Sequence, residues 1–416
     1  MLGERIRKLR KQKKMTLEEL AGNALTKGML SLIENNKANP SMESLHYIAE
    51  RLGVEVTDLL EEISSLELRE VLDKAEELYN VKRLCEIETE VIDSDKDKEI
   101  IELIKPYISN LTQDYESARL LDIYSRSLYN ENADGWQEFS EQAAAIYDRM
   151  NLTSRRVSIG IFRAGEHVFK HNYNQALSFF LSDRAKIEAN HAYIAPETRL
   201  DLDYHEAVLY FAVGQTDAAA HVMEEAIAYS KKHRIFYRID DLYRLAAGYA
   251  MIKKDTEKRL YYSKKLKQYG EFADDINSIL FYHFMIIESL TSEKQHCEEA
   301  IEKINEILEN QQLSESYQYL FYLEKGKALF GLARYEEALH YLEKVELPPY
   351  THHPFDLSLF YVMDAYKALC HMHLENGEEA LQFANLAMER FAPLPYLLKE
   401  FVIETHNIIN KKINEA

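Results

Sequence analysis

Apolar residues recur at intervals of three and four along almost the whole chain, the spacing that lays one face of an α-helix against a core. At the N-terminus Leu2, Ile6 and Leu9 form one such face, while Arg5, Arg7, Lys8, Arg10, Lys11, Lys13 and Lys14 cover the rest. Thr16-Leu17-Glu18-Glu19 reads as a capping box, in which the hydroxyl accepts from the amide of Glu19 and the glutamate answers back. A second helix therefore starts there and runs through Leu20 and Ala21. Gly22-Asn23 supplies a turn, and Thr26 caps a third helix whose Leu30 and Ile33 face inward. Lys27, Gly28, Ser31 and Leu32 are left projecting outward. Asn35 to Ser41 reads as a turn in which Asn36 tolerates positive φ; Ser41 caps a fourth helix ending at Gly53, and a fifth covers Thr57 to Glu62. Two helices joined by a tight turn, the second with small polar outward residues, suit insertion into a DNA major groove.

The pattern changes near Ser64-Ser65. Leu66 to Tyr79 reads as a connecting helix, and beyond it the chain repeats. Small residues in segments such as YEEAL recur at Ala176, Ala219, Ala300, Ala338 and Ala380, spaced 38 to 43 apart with one interval of 81, which predicts a degenerate copy near Arg259. Twelve residues before these anchors stand Ala164, Ala207, Glu288, Gly326 and Ala368, mostly small, as two helices in close approach require. This is a tetratricopeptide-type register with a long period. Prolines 196, 348, 349, 354, 393 and 395 fall between hairpins, where a helix must stop. The expected fold is all-α: a five-helix domain over 1–63, a linker helix over 64–83, and a right-handed repeat superhelix over 84–416.

A hairpin that buries its apolar face only against its neighbours leaves the first helices lining a concave groove, which holds an extended peptide well. The peptide's amides and carbonyls need partners, so polar and aromatic residues on inner helices are the candidates. They are Arg126, Asp201, Tyr204, Asp241, Arg244, Tyr282 and, on the last helix, Asn407. Each residue type also serves as an ordinary inter-helix polar group.

Composition sharpens this picture at three points. Only 13 Gly and 8 Pro in 416 residues exclude a turn-rich all-β protein. The net charge of −20 conceals an asymmetry: residues 1–40 hold nine Lys/Arg against four Glu, a net of +5, which leaves −25 for the remainder. Only the basic end is suited to approach phosphate. Cys85, Cys297 and Cys370 are too scattered for a disulfide framework or a CxxC pair, and no membrane span or leader is read, so a cytoplasmic protein is expected.

The run IRKLRKQKKMTLEELA, continued by LTKGMLSLIENNKANPSMESLHYIAERLGVEVTDLL, resembles the phage-repressor and Cro type of helix-turn-helix domain over residues 1–62. The resemblance implies that Lys27, Gly28 and Ser31 read base edges and that the loop through Asn36 and Lys37 lies near phosphates. Two departures stand out. Leu17 replaces the family's usual glutamine early in helix two, and the inter-helix turn is one residue shorter than the common pattern. With the array behind it, the whole chain resembles the peptide-pheromone-sensing regulators of Gram-positive bacteria, the Rap–NprR–PlcR–Rgg type, and within them the NprR-like members. That likeness implies a re-imported signalling peptide, promoter DNA, and a homodimer that becomes a tetramer with ligand. It also implies control of extracellular protease and stationary-phase genes. Rap-like relatives instead bind a sporulation response regulator, so a protein-sequestering adaptor is the alternative, and an aspartyl-phosphate phosphatase a third.

No HExxH, GxSxG, P-loop or dinucleotide glycine motif occurs, so no catalytic, cofactor or metal site is expected. Cys370, His371 and His373 make the one metal-like cluster, and a repeat helix explains it as packing.

Overall fold

The computed structural model describes residues 2–60, 65–89, 94–292, 294–310, 313–395 and 398–415. Among these it is helical without a strand, and it forms two compact units, Met1–Leu152 and Thr153–Ala416. The all-α class read from the sequence is what is found.

The first unit opens with α1 (Leu2–Gln12), α2 (Leu17–Ala21), α3 (Lys27–Glu34), α4 (Met42–Leu52) and α5 (Val56–Leu60). Their apolar faces meet in a core of Ile6, Leu9, Leu20, Leu30, Ile33, Leu45, Ile48, Leu52 and Leu59. Each helix start follows its local chemistry. Thr16 Oγ1 accepts from the Glu19 amide at 3.1 Å and Glu19 Oε2 accepts from the Thr16 amide at 2.6 Å, the complete reciprocal box. Thr26 and Ser41 cap α3 and α4 through the amides of Met29 and Ser44. Gly53, left-handed at φ 60°, ends α4. The fifth helix starts one residue before the expected Thr57; Glu62 and Ser64 lie outside the described residues.

The long α6 (Ser65–Thr89) follows, with α7 (Ser94–Ile104), α8 (Tyr115–Asn130) and α9 (Trp136–Arg149). It runs through residue 83 without a break and buries Leu68, Val71, Leu72 and Ala75. Arg119 of α8 grips Glu76 of α6 with two bonds of 2.6 and 2.9 Å. The side chain of Cys85 lies outside the described residues.

The second unit is a file of helical hairpins: α10 (Thr153–Phe169) with α11 (Tyr173–Asn190), α12 (Pro196–Ala212) with α13 (Thr216–His233), and α14 (Ile239–Ile252) with α15 (Thr256–Ala273). Then come α16 (Ile276–Thr291) with α17 (Cys297–Asn310), α18 (Glu315–Gly331) with α19 (Tyr335–Leu342), and α20 (Pro354–His373) with α21 (Gly377–Phe391); α22 (Lys399–Glu415) closes the file. The anchors Ala176, Ala219, Ala300, Ala338 and Ala380 are all buried on second helices, and the inferred copy near Arg259 is α15. At Gly326 an added Cβ would lie 2.6 Å from Leu342 Cγ, which is why a glycine lets α18 approach α19. Pro196 and Pro354 sit at first-turn positions, where no amide is missed.

One connection breaks the neighbour-to-neighbour rule. The eleven residues 343–353 between α19 and α20 reach hairpins much earlier in the chain. Tyr173 Oη donates to the carbonyl of His352 at 2.8 Å, the rings of Phe169 and His352 meet edge to face at 4.7 Å, and His353 Nε2 donates to the carbonyl of Val208 at 3.1 Å. His353 Nδ1 accepts from the Phe355 amide at 3.2 Å and so caps α20. The start of α20 is thereby brought against α12.

Candidate functional site

Two places in the chain carry chemistry. The first is the outer face of α3. Leu30 and Ile33 anchor the helix in the core, while Lys27, Gly28, Leu32, Asn36 and Lys37 are exposed and Ser31 is half-buried. Nothing lies within 4 Å of a Cβ placed on Gly28, so internal packing makes no demand for glycine there. Lys27 approaches the exposed Glu18 at 3.8 Å. Asn36 adopts φ 54° as expected, but its side chain turns inward: Oδ1 accepts from the Gly3 amide at 2.9 Å and ties the end of α3 to α1.

The helix is held rigidly from behind. Arg10 of α1 meets Glu34 of α3 through paired bonds of 2.6 and 2.8 Å and also donates to the Met15 carbonyl at 2.8 Å. Glu34 is only 4% exposed. A bidentate pair at that depth fixes the angle of a helix as well as its position, and it removes Arg10 from the basic surface that the sequence pattern gave it. Tyr47 and Arg51 brace the other side, Tyr47 Oη accepting from the Asn23 amide at 3.2 Å and Arg51 Nε donating to the Glu19 carbonyl at 3.1 Å. A Cβ on Gly22, whose φ is 53°, would strike Tyr47 Oη, so the short turn requires that glycine.

The second place is a cavity of about 390 Å³ in the second unit. Val208 and Phe211 of α12, Leu245, Gly248, Tyr249 and Ile252 of α14, and Phe281 of α16 form apolar walls. His353, Phe355 and Asp356, brought in by the long connection, close one side. Tyr204, Asp241 and Arg244 supply polar groups. Beside them Arg238 holds a left-handed φ of 61°, a conformation a non-glycine residue keeps only when its surroundings enforce it. Its guanidinium bridges Asp201 at 2.9 Å and Asp241 at 2.8 Å, Tyr237 Oη donates to Asp201 at 2.9 Å, and Tyr204 lies under the guanidinium at 5.2 Å. Arg244 Nη2 donates to Ser278 at 3.1 Å and Asp275 at 3.3 Å, but its Nε is buried with no partner.

Crowding inside this concavity moves several protons. Burial, then the Asp241 charge, raises the Tyr204 phenol, and burial lowers the His205 and His353 imidazoles. Burial followed by the neighbouring Asp241 raises Asp240, and desolvation raises Asp356 although its side chain remains open to solvent. The site thus combines an apolar pocket with polar groups that the fold leaves partly unused.

Of the residues expected to bind a peptide, Tyr204, Asp241 and Arg244 line this cavity, and Asp201 joins it through Arg238. Tyr282 is not among the lining residues; Lys267 stacks over its ring at 5.4 Å while the adjacent Phe281 faces the cavity. Asn407 is exposed on α22. Arg126 belongs to the first unit, where Nε donates to Asp122 at 2.7 Å in a network with Arg119. Sequence reasoning missed Arg238, Phe355 and Asp356. The one available signal was the connection PPYTHHPFD, richer in aromatic and titratable residues than a plain turn needs. In the Cys370 cluster the thiol is buried and pushed up to about 12 by desolvation, His373 stacks on Tyr335 and His371 on Phe383. Among the described residues no group of three His, Cys, Asp or Glu could hold a metal ion, and no helix is long and apolar enough to cross a membrane.

Comparison with known proteins agrees with the first site. The family described as "Helix-turn-helix domain" matches residues 3–64. The immunity repressor protein of Bacillus phage phi105 is 34% identical over 96 residues, which are 23% of this chain and 67% of the repressor. The HTH-type transcriptional regulator DdrOP3 of Deinococcus deserti is 41% identical over 61 residues, 14% of this chain and 47% of that protein. Among solved structures, PlcR of Bacillus thuringiensis in complex with the peptide PapR7 and DNA shares 17% identity over 68% of this chain and 98% of PlcR, at a TM-score of 0.35. The SHP pheromone receptor Rgg2 of Streptococcus dysgalactiae shares 16% over 68% and 98%, at 0.31. Apo ComR of S. thermophilus shares 19% over 70% and 99%, at 0.33. By its N-terminal domain, matched in sequence over residues 3–64, the chain belongs to the helix-turn-helix family of DNA-binding regulators.

Proposed function

We propose that this chain is a peptide-responsive transcription regulator whose α3 enters the major groove of promoter DNA and whose repeat array binds a short signalling peptide. The observation that supports the sensing half is the cavity beside Arg238 and Arg244: apolar walls, a strained arginine and an unpartnered buried donor together make a receptor for a small, extended, amide-rich ligand. Lys27, Gly28 and Ser31 read bases, and Lys37 lies near phosphate. The regulator acts as a homodimer on paired half-sites, and peptide binding changes the dimer's geometry or joins dimers into tetramers. The whole-chain resemblance extends the proposal to promoters of extracellular-protease and stationary-phase genes.

The test is a mobility-shift titration with promoter fragments from around the gene, using the full chain. Lys27→Ala and Ser31→Ala are expected to weaken binding, by roughly tenfold if each loses one base contact of about 1–3 kcal/mol, with melting of the protein unchanged. Unaltered affinity for both variants would remove α3 as the reading helix.

A further inference from the structure

The charged groups around the cavity are not all provided for. Asp241 is satisfied by Arg238, and Arg244 shares its Nη2 between Ser278 and Asp275. Asp356 stands apart: among the described residues no donor bonds to it and no cation pairs with it. His353 acts on it electrostatically, but both nitrogens of that imidazole are already engaged, Nε2 with the Val208 carbonyl and Nδ1 with the Phe355 amide. The place of Asp356 in the first turn of α20 is favourable for any acid, but that preference is met equally by a carboxylate facing bulk water. Here the residue is open to solvent and also belongs to the lining of the cavity that Val208, Phe211, Leu245, Ile252, Phe281 and Phe355 wall. A carboxylate open to solvent at the edge of an apolar pocket, with no donor of the protein bonded to it, keeps its accepting capacity for a cation that enters from outside.

We propose that Asp356 is the charge-recognition point of the cavity, receiving an ammonium or guanidinium group of a peptide whose neighbouring apolar side chain fills the space between Phe211, Phe281 and Phe355. The proposal rests on the peptide-sensing reading and adds to it the class of ligand: a short cationic peptide with a bulky apolar residue beside its positive group. The size of the cavity, about 390 Å³, admits one such side chain with adjoining backbone. Arg244 Nε, buried in the same lining without an acceptor, is placed to take a peptide carbonyl, which fixes polarity as well as charge. The aspartate stands three residues beyond His353, whose bond to Val208 docks the connection on α12, so the recognition point depends on that docking.

The experiment exposes the full-length protein to a random library of short synthetic peptides with free termini, and to the same library N-acetylated, and sequences the retained fraction. Wild-type protein is expected to enrich peptides that carry a positive group next to a large apolar residue. Asp356→Asn, nearly isosteric and checked by its melting curve, should lose that bias and bind the enriched peptides roughly tenfold or more weakly. Asp356→Glu should retain the bias. Enrichment of Lys or Arg that survives acetylation identifies a side chain as the cation, and enrichment abolished by acetylation identifies the terminal ammonium. If Asp356→Asn retains the same peptides as wild type with equal affinity, the charge assignment is overturned while peptide sensing stands. If neither protein retains any peptide, the sensing reading falls and the assignment falls with it.

Discussion

Gly28 stands in the first turn of α3 with open space where a side chain would begin. A helical glycine in that setting lowers stability relative to alanine, because its unfolded form has more backbone freedom to lose. Gly28→Ala is therefore expected to raise stability, by up to about 0.5–1 kcal/mol in denaturant melts, and at the same time to weaken promoter binding, where an added methyl meets the groove. An affinity unchanged in a mobility shift would mean that no nucleic acid comes close at that position. The same scale separates what sequence could and could not disclose. The caps at Thr16, Thr26 and Ser41 were legible because each is a contact within three residues of itself. The Arg10–Glu34 pair and the inward turn of Asn36 span 24 and 33 positions, and no local pattern encodes such distances.

Among the helices, the repeat register survives where its own rule fails. Position 288 should be small, and the anchor position on α15 should be small as well; they carry Glu and Arg. Arg259 Nη1 donates to Glu288 at 2.5 Å and Nη2 to Ser289 Oγ at 2.5 Å, so a partly buried ion pair joins the anchor position of α15 to the small-residue position of α16 in the next hairpin. Removing Glu288 leaves the Arg259 guanidinium without its carboxylate, and removing Arg259 leaves Glu288 with only the charge of Lys327 nearby. Glu288→Ala is expected to cost about 3 kcal/mol in urea unfolding, and Arg259→Ala a similar amount, while the double variant should cost much less than their sum. Simple additivity would show that the pair does not act as a unit. The hairpins themselves were readable from Ala176, Ala338 and their fellows because burial recurs with a period. The missing copy could be placed by arithmetic, but its compensation could not, since it depends on two departures meeting in space.

At the level of the whole chain, proton binding links stability to pH. Burial lowers the imidazoles of His205, His283, His352 and His353 in the folded second unit. A histidine whose folded value lies below the unfolded ~6.5 binds fewer protons when folded, so its contribution is complete above that pH and is lost as pH falls through the folded value. The raised carboxylates Asp240, Asp356 and Asp364 act in the opposite sense, favouring the fold as they take up protons at lower pH. Melting temperature should therefore drop between pH 7 and 6, and His353→Gln should flatten that drop. A wild-type curve level across this interval would refute the assignment. Fold class was visible in the whole sequence, through periodicity. The cavity was half visible: Tyr204, Asp241 and Arg244 were named from residue type, whereas Phe355 and Asp356 reach it by a connection whose path no periodicity reveals.

That connection changes how the array must come to be folded. A stack whose units touch only adjacent units can form from either end, one unit at a time. Here Tyr173 and Val208 find partners at His352 and His353, 179 and 145 positions onward. On the ribosome, the earliest hairpins of this unit must therefore wait, with their inner walls uncovered, until synthesis has passed residue 356. A proteolytic nick within residues 343–353 is expected to loosen the wall made by His353, Phe355 and Asp356 while the helices stay folded.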